Sequence, residues 1–218
     1  MFDAAQYTTH RRGFLARLAG VAGIAAITPS RLFAQPAAPS TSPEFEAWLN
    51  RIKGAHRIVF DAPGANGGMP VVWPRVYVDT MNGTYGTKAA DDTAVVILRH
   101  EAAALALNDA MWFKYKLGAA LKIDDAGKPA TRNPFAVITG LPIPNCGVVE
   151  VLKTGVLVGV CDVALSVLAG NMAKAGGNAD AIKKEFVASI YAGVQVVPSG
   201  VMAVGRAQEK GCNYCFAG

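Results

Sequence analysis

The sequence predicts an α/β fold: a three-layer, open and mostly parallel sheet with helices on both faces. Short runs rich in β-branched residues recur at wide spacing, and helical patterns lie between them. Strands that alternate with helices form right-handed βαβ units, and such units cover both faces of a parallel sheet. The predicted strands are residues 56–60, 94–98, 156–160 and 194–197.

The first 34 residues are typical of an export signal and not of folded structure. Residues 11–15 read Arg-Arg-Gly-Phe-Leu, and a short apolar stretch follows at residues 18–27. This is the twin-arginine pattern, and its apolar stretch is shorter than the about 20 residues that span a bilayer. We therefore expect cleavage near Ala34 and export of the protein to the periplasm, with no membrane attachment after cleavage.

Residues 35–54 are predicted to be a linker and a short helix, and residues 55–218 a single α/β domain. The segment 35–43 is rich in Pro, Ala and Ser, which is typical of a flexible lead-in. The whole chain has a formal net charge of +5, but the first 34 residues hold four arginines and one aspartate, so the remainder carries +2. A charge this small does not indicate nucleic-acid binding.

Helical patterns occupy the connections between the predicted strands. The clearest is at residues 179–192, where an apolar side chain recurs every fourth residue, Asn178 is a suitable N-cap and Gly193 closes the segment. Two stretches rich in Gly, Pro and Asn are predicted as long irregular segments, at residues 64–86 and 124–144. Further helices are predicted at residues 44–53, 102–117, 148–153, 162–172 and 201–210.

Polar or reactive residues follow each predicted strand, and the carboxyl ends of parallel strands meet at one edge of the sheet. The residues in this position are Asp61, Arg99, His100, Cys161 and the pair Pro198-Ser199. Cys161 is the nucleophile among them, and the start of a helix favours its thiolate through backbone N–H groups and the helix dipole. Arg99 or His100 would stabilise the thiolate further if their strand is a neighbour, whereas Asp162 opposes it. The structural alternative is a small buried side chain.

The pairing of the other cysteines, Cys146, Cys212 and Cys215, is left open by the sequence. Cys212 and Cys215 have the C-x-x-C spacing of redox and zinc sites, but they follow a predicted helix where a redox pair would begin one. A structural disulfide in the tail, or a bridge to Cys146, is the simpler interpretation for an oxidising compartment. Cys146 could also exchange disulfide and thiol states with Cys161 if the two approach each other.

No cofactor or metal is expected from the motifs. The chain has no phosphate loop, no dinucleotide-binding glycine pattern and no haem-attachment motif. Beyond the signal, the histidines are His56 and His100 alone, which disfavours a metal site built from imidazoles.

Three segments resemble exported members of the DsrE/DsrF-like sulfur-relay family. They are residues 94–117 (AVVILRHEAAALALNDAMWFKYKL), 154–164 (TGVLVGVCDVA) and 193–211 (GVQVVPSGVMAVGRAQEKG). The resemblance covers roughly residues 55–211. It implies a parallel α/β fold, assembly of subunits into trimers or hexamers, and a cysteine that carries sulfur as a persulfide. Cys161 matches that cysteine, and His100 resembles a histidine common after the second strand.

The sequence therefore leads to a functional hypothesis with an alternative from another class. The hypothesis is a periplasmic protein that carries sulfane sulfur on Cys161, with His100 or Arg99 stabilising the thiolate, and exchanges it with a donor or acceptor protein. Whether such a protein acts as a sulfurtransferase or only as a carrier is left open. The alternative is a non-catalytic exported binding or assembly protein with structural cysteines, which uses its long loops to hold a partner or a ligand.

Overall fold

A computed structural model describes residues 42–218, and a parallel five-stranded sheet lies at its centre. The predicted fold class is confirmed. The strands are β1 (His56–Ala62), β2 (Asp92–Leu98), β3 (Asp124–Asp125), β4 (Lys128–Pro129), β5 (Leu157–Cys161), β6 (Gln195–Val197) and β7 (Asn213–Phe216). The main sheet has the order β6-β5-β2-β1-β7, whereas β3 and β4 form a separate antiparallel pair.

The helices of the described residues fill the connections between these strands. They are α1 (Pro43–Leu49), α2 (Trp73–Tyr85), α3 (Asp109–Lys114), α4 (Leu117–Leu121), α5 (Val148–Lys153), α6 (Asp162–Ala173), α7 (Ala179–Ala188) and α8 (Gly200–Glu209). Two 3₁₀ segments, Asn66–Val71 and His100–Ala106, follow β1 and β2. Within residues 42–218, no helix has both the length and the apolar character that crossing a bilayer would need.

The side chains of each central strand alternate between two cores, as the period of a strand requires. Val59, Val95 and Ile97 point to a core that α1 and α8 cover. Phe60 and Val96 point to the opposite, larger core, which contains α6 and α7. The strands are thus buried on both faces, which explains why they read as continuous apolar runs in the sequence.

Successive strands of the main sheet from β1 to β6 are added on one side of β1, and the direction reverses once, between β6 and β7. From β1 the chain proceeds through β2 and β5 to β6 at one edge, and α2, α6 and α7 pack on the face of the larger core. From β6 it returns across the sheet to β7 at the other edge, and α8 covers the opposite face. The connections that leave β5 and β6 therefore separate to opposite faces. Ligand crevices of open α/β sheets form at such a topological switch point, outside the carboxyl ends of the strands.

All four predicted strands are present with small shifts at their ends, but two predicted segments are wrong. The predicted helix at residues 102–117 is broken, because Asn108 adopts an extended conformation and its side chain caps α3 by accepting the N–H of Met111 at 3.3 Å. The predicted irregular segment 64–86 contains α2, which has a proline in its first turn and ends at Gly86 in the left-handed conformation.

The predicted long loop at residues 124–144 is irregular apart from the short β3–β4 pair. It is held to the domain by Asn133, which is buried. Its side-chain amide donates to the carbonyl oxygens of Leu105 at 2.9 Å and Leu107 at 2.8 Å, and its side-chain oxygen accepts the N–H of Phe135. The loop therefore has a fixed path without regular secondary structure.

Candidate functional site

A crevice of about 540 Å³ lies at the topological switch point, and its wall continues along α6. The ends of β2, β5 and β6 meet there, so two helices, α6 and α8, begin at it from opposite faces of the sheet. The positive ends of two helix dipoles consequently point to one place. The lining of the crevice includes Arg99, His100, Glu101, Leu121, Cys161, Val163, Val167, Leu168, Asn171, Met172, Lys174, Ser199 and Gly200.

Cys161 is the last residue of β5 and the N-cap of α6. Its sulfur accepts the backbone N–H of Ala164 at 3.3 Å, which is the position of an N-cap acceptor. The thiol is free and the residue is only 5% exposed, yet it lines the crevice. The sulfur is therefore neither bridged nor open to bulk solvent, and a reagent would reach it through the crevice.

Arg99 follows β2, the strand next to β5, so the condition that the two strands be neighbours is met. Its guanidinium makes a bidentate ion pair with Asp61 near the end of β1, with Nε–Oδ1 at 2.6 Å and Nη2–Oδ2 at 2.9 Å. The hydroxyl of Tyr214 on β7 also donates to Oδ2 of Asp61, at 3.0 Å. Three neighbouring strands thus hold one arginine in place, and its other terminal nitrogen has no hydrogen-bond partner among residues 42–218.

The ion pair sets the charges at this end of the crevice. Burial by itself would raise the pKa of Asp61, but the hydrogen bonds from Arg99 and Tyr214 outweigh it and the net pKa is lowered. The pKa of Arg99 is raised, first by its hydrogen bond to Asp61 and in smaller part by the nearby Cys161. Arg99 is therefore a permanent cation, but much of its charge is balanced by Asp61 and it adds less positive potential at the sulfur than a free arginine would.

Gly200, the first residue of α8, lets the backbone of this helix approach Arg99 and Cys161 closely. A Cβ atom at this position would lie 2.6 Å from Cβ of Arg99 and 3.3 Å from Cβ of Cys161. The first distance is shorter than any packed side chain tolerates, so any larger residue would displace Arg99. Ser199 precedes it at the N-cap position of α8. The Ser199 hydroxyl accepts no hydrogen bond from the first N–H groups of the helix, so these groups have no side-chain cap.

His100 and Asp162 each directly follow a residue of this centre, Arg99 and Cys161 respectively. His100 is exposed, lines the crevice and has a left-handed backbone with φ of 50°, which is uncommon for a residue with a side chain. Asp162, the residue expected to oppose a thiolate, is ion-paired with Lys183 of α7 at 2.7 Å. The carboxylate next to the thiol is thus partly neutralised by α7.

The other three cysteines lie outside the crevice, and none of the four forms a disulfide. Cys212 and Cys215 pack into the two cores on opposite faces of the sheet, so they can neither bridge each other nor bind one metal. Burial raises the pKa of Cys212 to about 11, although Arg57 lowers it in part. Cys146 is buried and its sulfur donates to the carbonyl oxygen of Ile143 at 3.5 Å. Neither the tail disulfide nor a bridge to Cys146 is formed in this structure.

The residues that position alone had selected lie at one end of the sheet, and Arg99, His100, Cys161 and Ser199 line the crevice. Asp61 and Pro198 do not line it, and Asp61 lies behind Arg99 and holds it. Sequence reasoning missed Tyr214 and Gly200. Tyr214 belongs to a strand that was not predicted, although Tyr and Phe in the sequence Asn-Tyr-Cys-Phe favour a strand. Gly200 lies at the end of the turn between β6 and α8, a place where glycine often permits close backbone approach.

Among residues 42–218, no three His, Cys, Asp or Glu side chains are grouped as ligands of a metal ion would be. The comparisons with known proteins add no family to this geometry. No protein-family profile matches the chain, and no curated protein matches it significantly.

Proposed function

We propose that this protein carries sulfane sulfur as a persulfide on Cys161. The observation that carries the proposal is a free thiol at the N-terminus of α6, facing a crevice at the switch point with Arg99 beside it. The helix N-terminus favours negative charge on the sulfur. A persulfide is also an anion, with its charge on the outer sulfur, one S–S bond beyond Sγ, so a cation that lines the crevice, such as Arg99, would favour the loaded form as well.

The loading step is a thiol exchange that needs no external oxidant. The thiolate of Cys161 attacks the terminal sulfur of a persulfide donor R–S–SH, a new S–S bond forms, the bond between the donor's two sulfurs breaks and R–S⁻ leaves. Delivery is the same reaction with an acceptor thiolate as the attacking group. The protein is therefore proposed as a carrier that donor and acceptor proteins load and unload. His100 stays a candidate for the thiolate-stabilising group, as does Arg99.

The setting proposed for this chemistry is the periplasm, reached through the twin-arginine signal of residues 1–34. Those residues lie outside the described part of the chain. Assembly into a trimer or hexamer is proposed with it, from the resemblance to the DsrE/DsrF-like family. A cytoplasmic transfer-RNA thiolation role does not suit an exported protein.

The test is mass spectrometry of the purified protein after exposure to inorganic polysulfide. We expect one cysteine to gain sulfur and the gain to vanish in Cys161→Ser. The matched control is Cys215→Ser, which removes a half-buried thiol outside the crevice and should leave the gain intact. A Cys161→Ser protein that still gains sulfur would remove that residue from the mechanism.

The alternative is a non-catalytic exported binding or assembly protein, in which Cys161 is a structural residue and no covalent chemistry takes place. The observation that favours it is the 5% exposure of Cys161, which is typical of a packed structural thiol. The reaction of Cys161 with an alkylating reagent distinguishes the carrier from the binding protein. Reaction of Cys161 with iodoacetamide near neutral pH, without denaturant, supports the carrier, whereas inertness until the protein is unfolded supports the binding protein.

A further inference from the structure

One wall of the crevice is apolar along most of α6. Val163, Val167, Leu168 and Met172 line it, and Leu121 of α4 adds to it. Val163 is 53% exposed and Val167 56% exposed, so these side chains lie open where a surface helix would carry polar residues. The wall begins at the Cys161 end and extends away from it for up to about three turns of helix.

The end of the crevice at Cys161 has the opposite character. The terminal nitrogen of Arg99 that does not contact Asp61 is available to an anion, and the first N–H groups of α8 lack a side-chain cap. Glu101 is the one acidic side chain of the lining, and it is exposed. Lys174 lies at the far end, exposed and bonded to Asn171 at 2.9 Å. An anionic group therefore fits beside the thiol, and an apolar group fits farther along α6.

The size of the crevice distinguishes between sulfur donors. A volume of about 540 Å³ is in the range of sites that hold organic ligands of moderate size. An inorganic polysulfide would occupy only the end beside Arg99 and Cys161 and would leave the valines of α6 in water. An organic donor would cover them, and each buried methylene contributes favourably to binding.

We infer that the donor is a low-molecular-mass organic persulfide whose apolar substituent lies along α6 while its terminal sulfur reaches Cys161. This inference rests on the proposed carrier function and deepens it. The terminal sulfur, with its proton, passes to Cys161, and the organic thiolate R–S⁻ leaves and takes a proton from water. The apolar wall binds the part of the donor that does not react, and so selects organic persulfides over inorganic ones.

The test compares two donors on matched variants. The donors are hexyl persulfide, released in the assay from an acyl-protected precursor, and inorganic polysulfide, with the rate of sulfur gain on Cys161 followed by mass spectrometry. Val167→Asn makes the wall polar without adding charge, and we expect it to slow loading from hexyl persulfide about tenfold while the rate with polysulfide stays within about twofold. Val187→Asn is the control, because Val187 is an exposed valine of α7 outside the crevice and should change neither rate.

Each other outcome overturns the inference in a recognisable way. If Cys161 gains sulfur from both donors and Val167→Asn affects both rates or neither, the wall does not select the donor, although the carrier function stands. If Val167→Asn changes the mass of the assembly in solution, the wall is a contact between subunits. If neither donor loads Cys161 in the unmodified protein, the carrier function fails and the inference fails with it.

Discussion

Asp61 determines how firmly Arg99 is held beside Cys161. Both of its carboxylate oxygens accept hydrogen bonds, from the guanidinium of Arg99 and the hydroxyl of Tyr214, and the residue is buried. Hydrogen bonds to a charged group contribute more to stability than neutral ones, about 1.5–3 kcal/mol each. The residue therefore stabilises the fold and positions the arginine at the same time.

Replacing Asp61 by Asn should lower the free energy of unfolding by about 2 kcal/mol at neutral pH, because the charged partner of Arg99 is lost. Folding lowers the pKa of Asp61, so its contribution is present above its ordinary pKa of about 3.9 and is lost as pH falls through the lower native value. Urea unfolding of both proteins at pH 7 and at about pH 2 measures this. A difference that stays constant between the two pH values would contradict it, and Tyr214→Phe should cost only about 1 kcal/mol.

At the scale of elements, the start of α8 is the most constrained part of the site. Gly200 has no room for a Cβ atom, because Arg99 and Cys161 already occupy that space. Gly205, five residues along the same helix, has no atom within 4 Å of the corresponding position. The two glycines of this helix thus differ in the space around them, and they form a matched pair for substitution.

Gly200→Ala should destabilise the protein and slow the reaction of Cys161 with iodoacetamide, because the added methyl group displaces Arg99 or moves α8. Gly205→Ala should stabilise the protein by up to about 1 kcal/mol and leave the thiol's reaction unchanged, since alanine is the better helix former in open space. Thermal unfolding and alkylation rates of the two variants give both results. A Gly200→Ala protein as stable and reactive as the unmodified one would show that the approach is not tight.

The elements that could be predicted from the sequence are those that carry their own signal. The buried strands β1, β2 and β5 read as apolar runs, and α7 shows its period and its Asn178 cap. The break at Asn108 could not be predicted with equal ease, because alanines and leucines on both sides favour helix while tertiary packing decides the conformation. β7 was missed because it has only four residues and lies at the edge of the sheet, where it pairs with β1, although its Tyr and Phe favour a strand.

At the scale of the whole molecule, the order of the strands decides which residues form the site. Position after a strand was enough to select Arg99, His100, Cys161 and Ser199. The sequence does not contain the neighbour relations that make Asp61 the partner of Arg99 or bring Tyr214 to it across 153 positions. Such contacts depend on the return of the chain from β6 to β7, and only the folded topology supplies them.

The proposed cellular location is testable on the whole chain. Replacing Arg11 and Arg12 together by Lys should retain the protein in the cytoplasm, because the twin-arginine pathway requires the arginine pair. Fractionation of cells that produce either form, followed by immunoblotting, measures this. Substituting Arg17 and Arg31 by Lys is the control and should leave export unchanged. Export of both variants would contradict the signal assignment.

The return of the chain to β7 also affects when the site is completed during synthesis. Tyr214 follows β1, β2 and β5 in the chain, so it leaves the ribosome after these strands. Until then Asp61 lacks one of its partners and the edge of β1 is uncovered. The arginine beside the thiol is therefore fully fixed only after β7 has been synthesised and has paired with β1, and a chain that lacks β7 would display the cysteine without its complete surroundings.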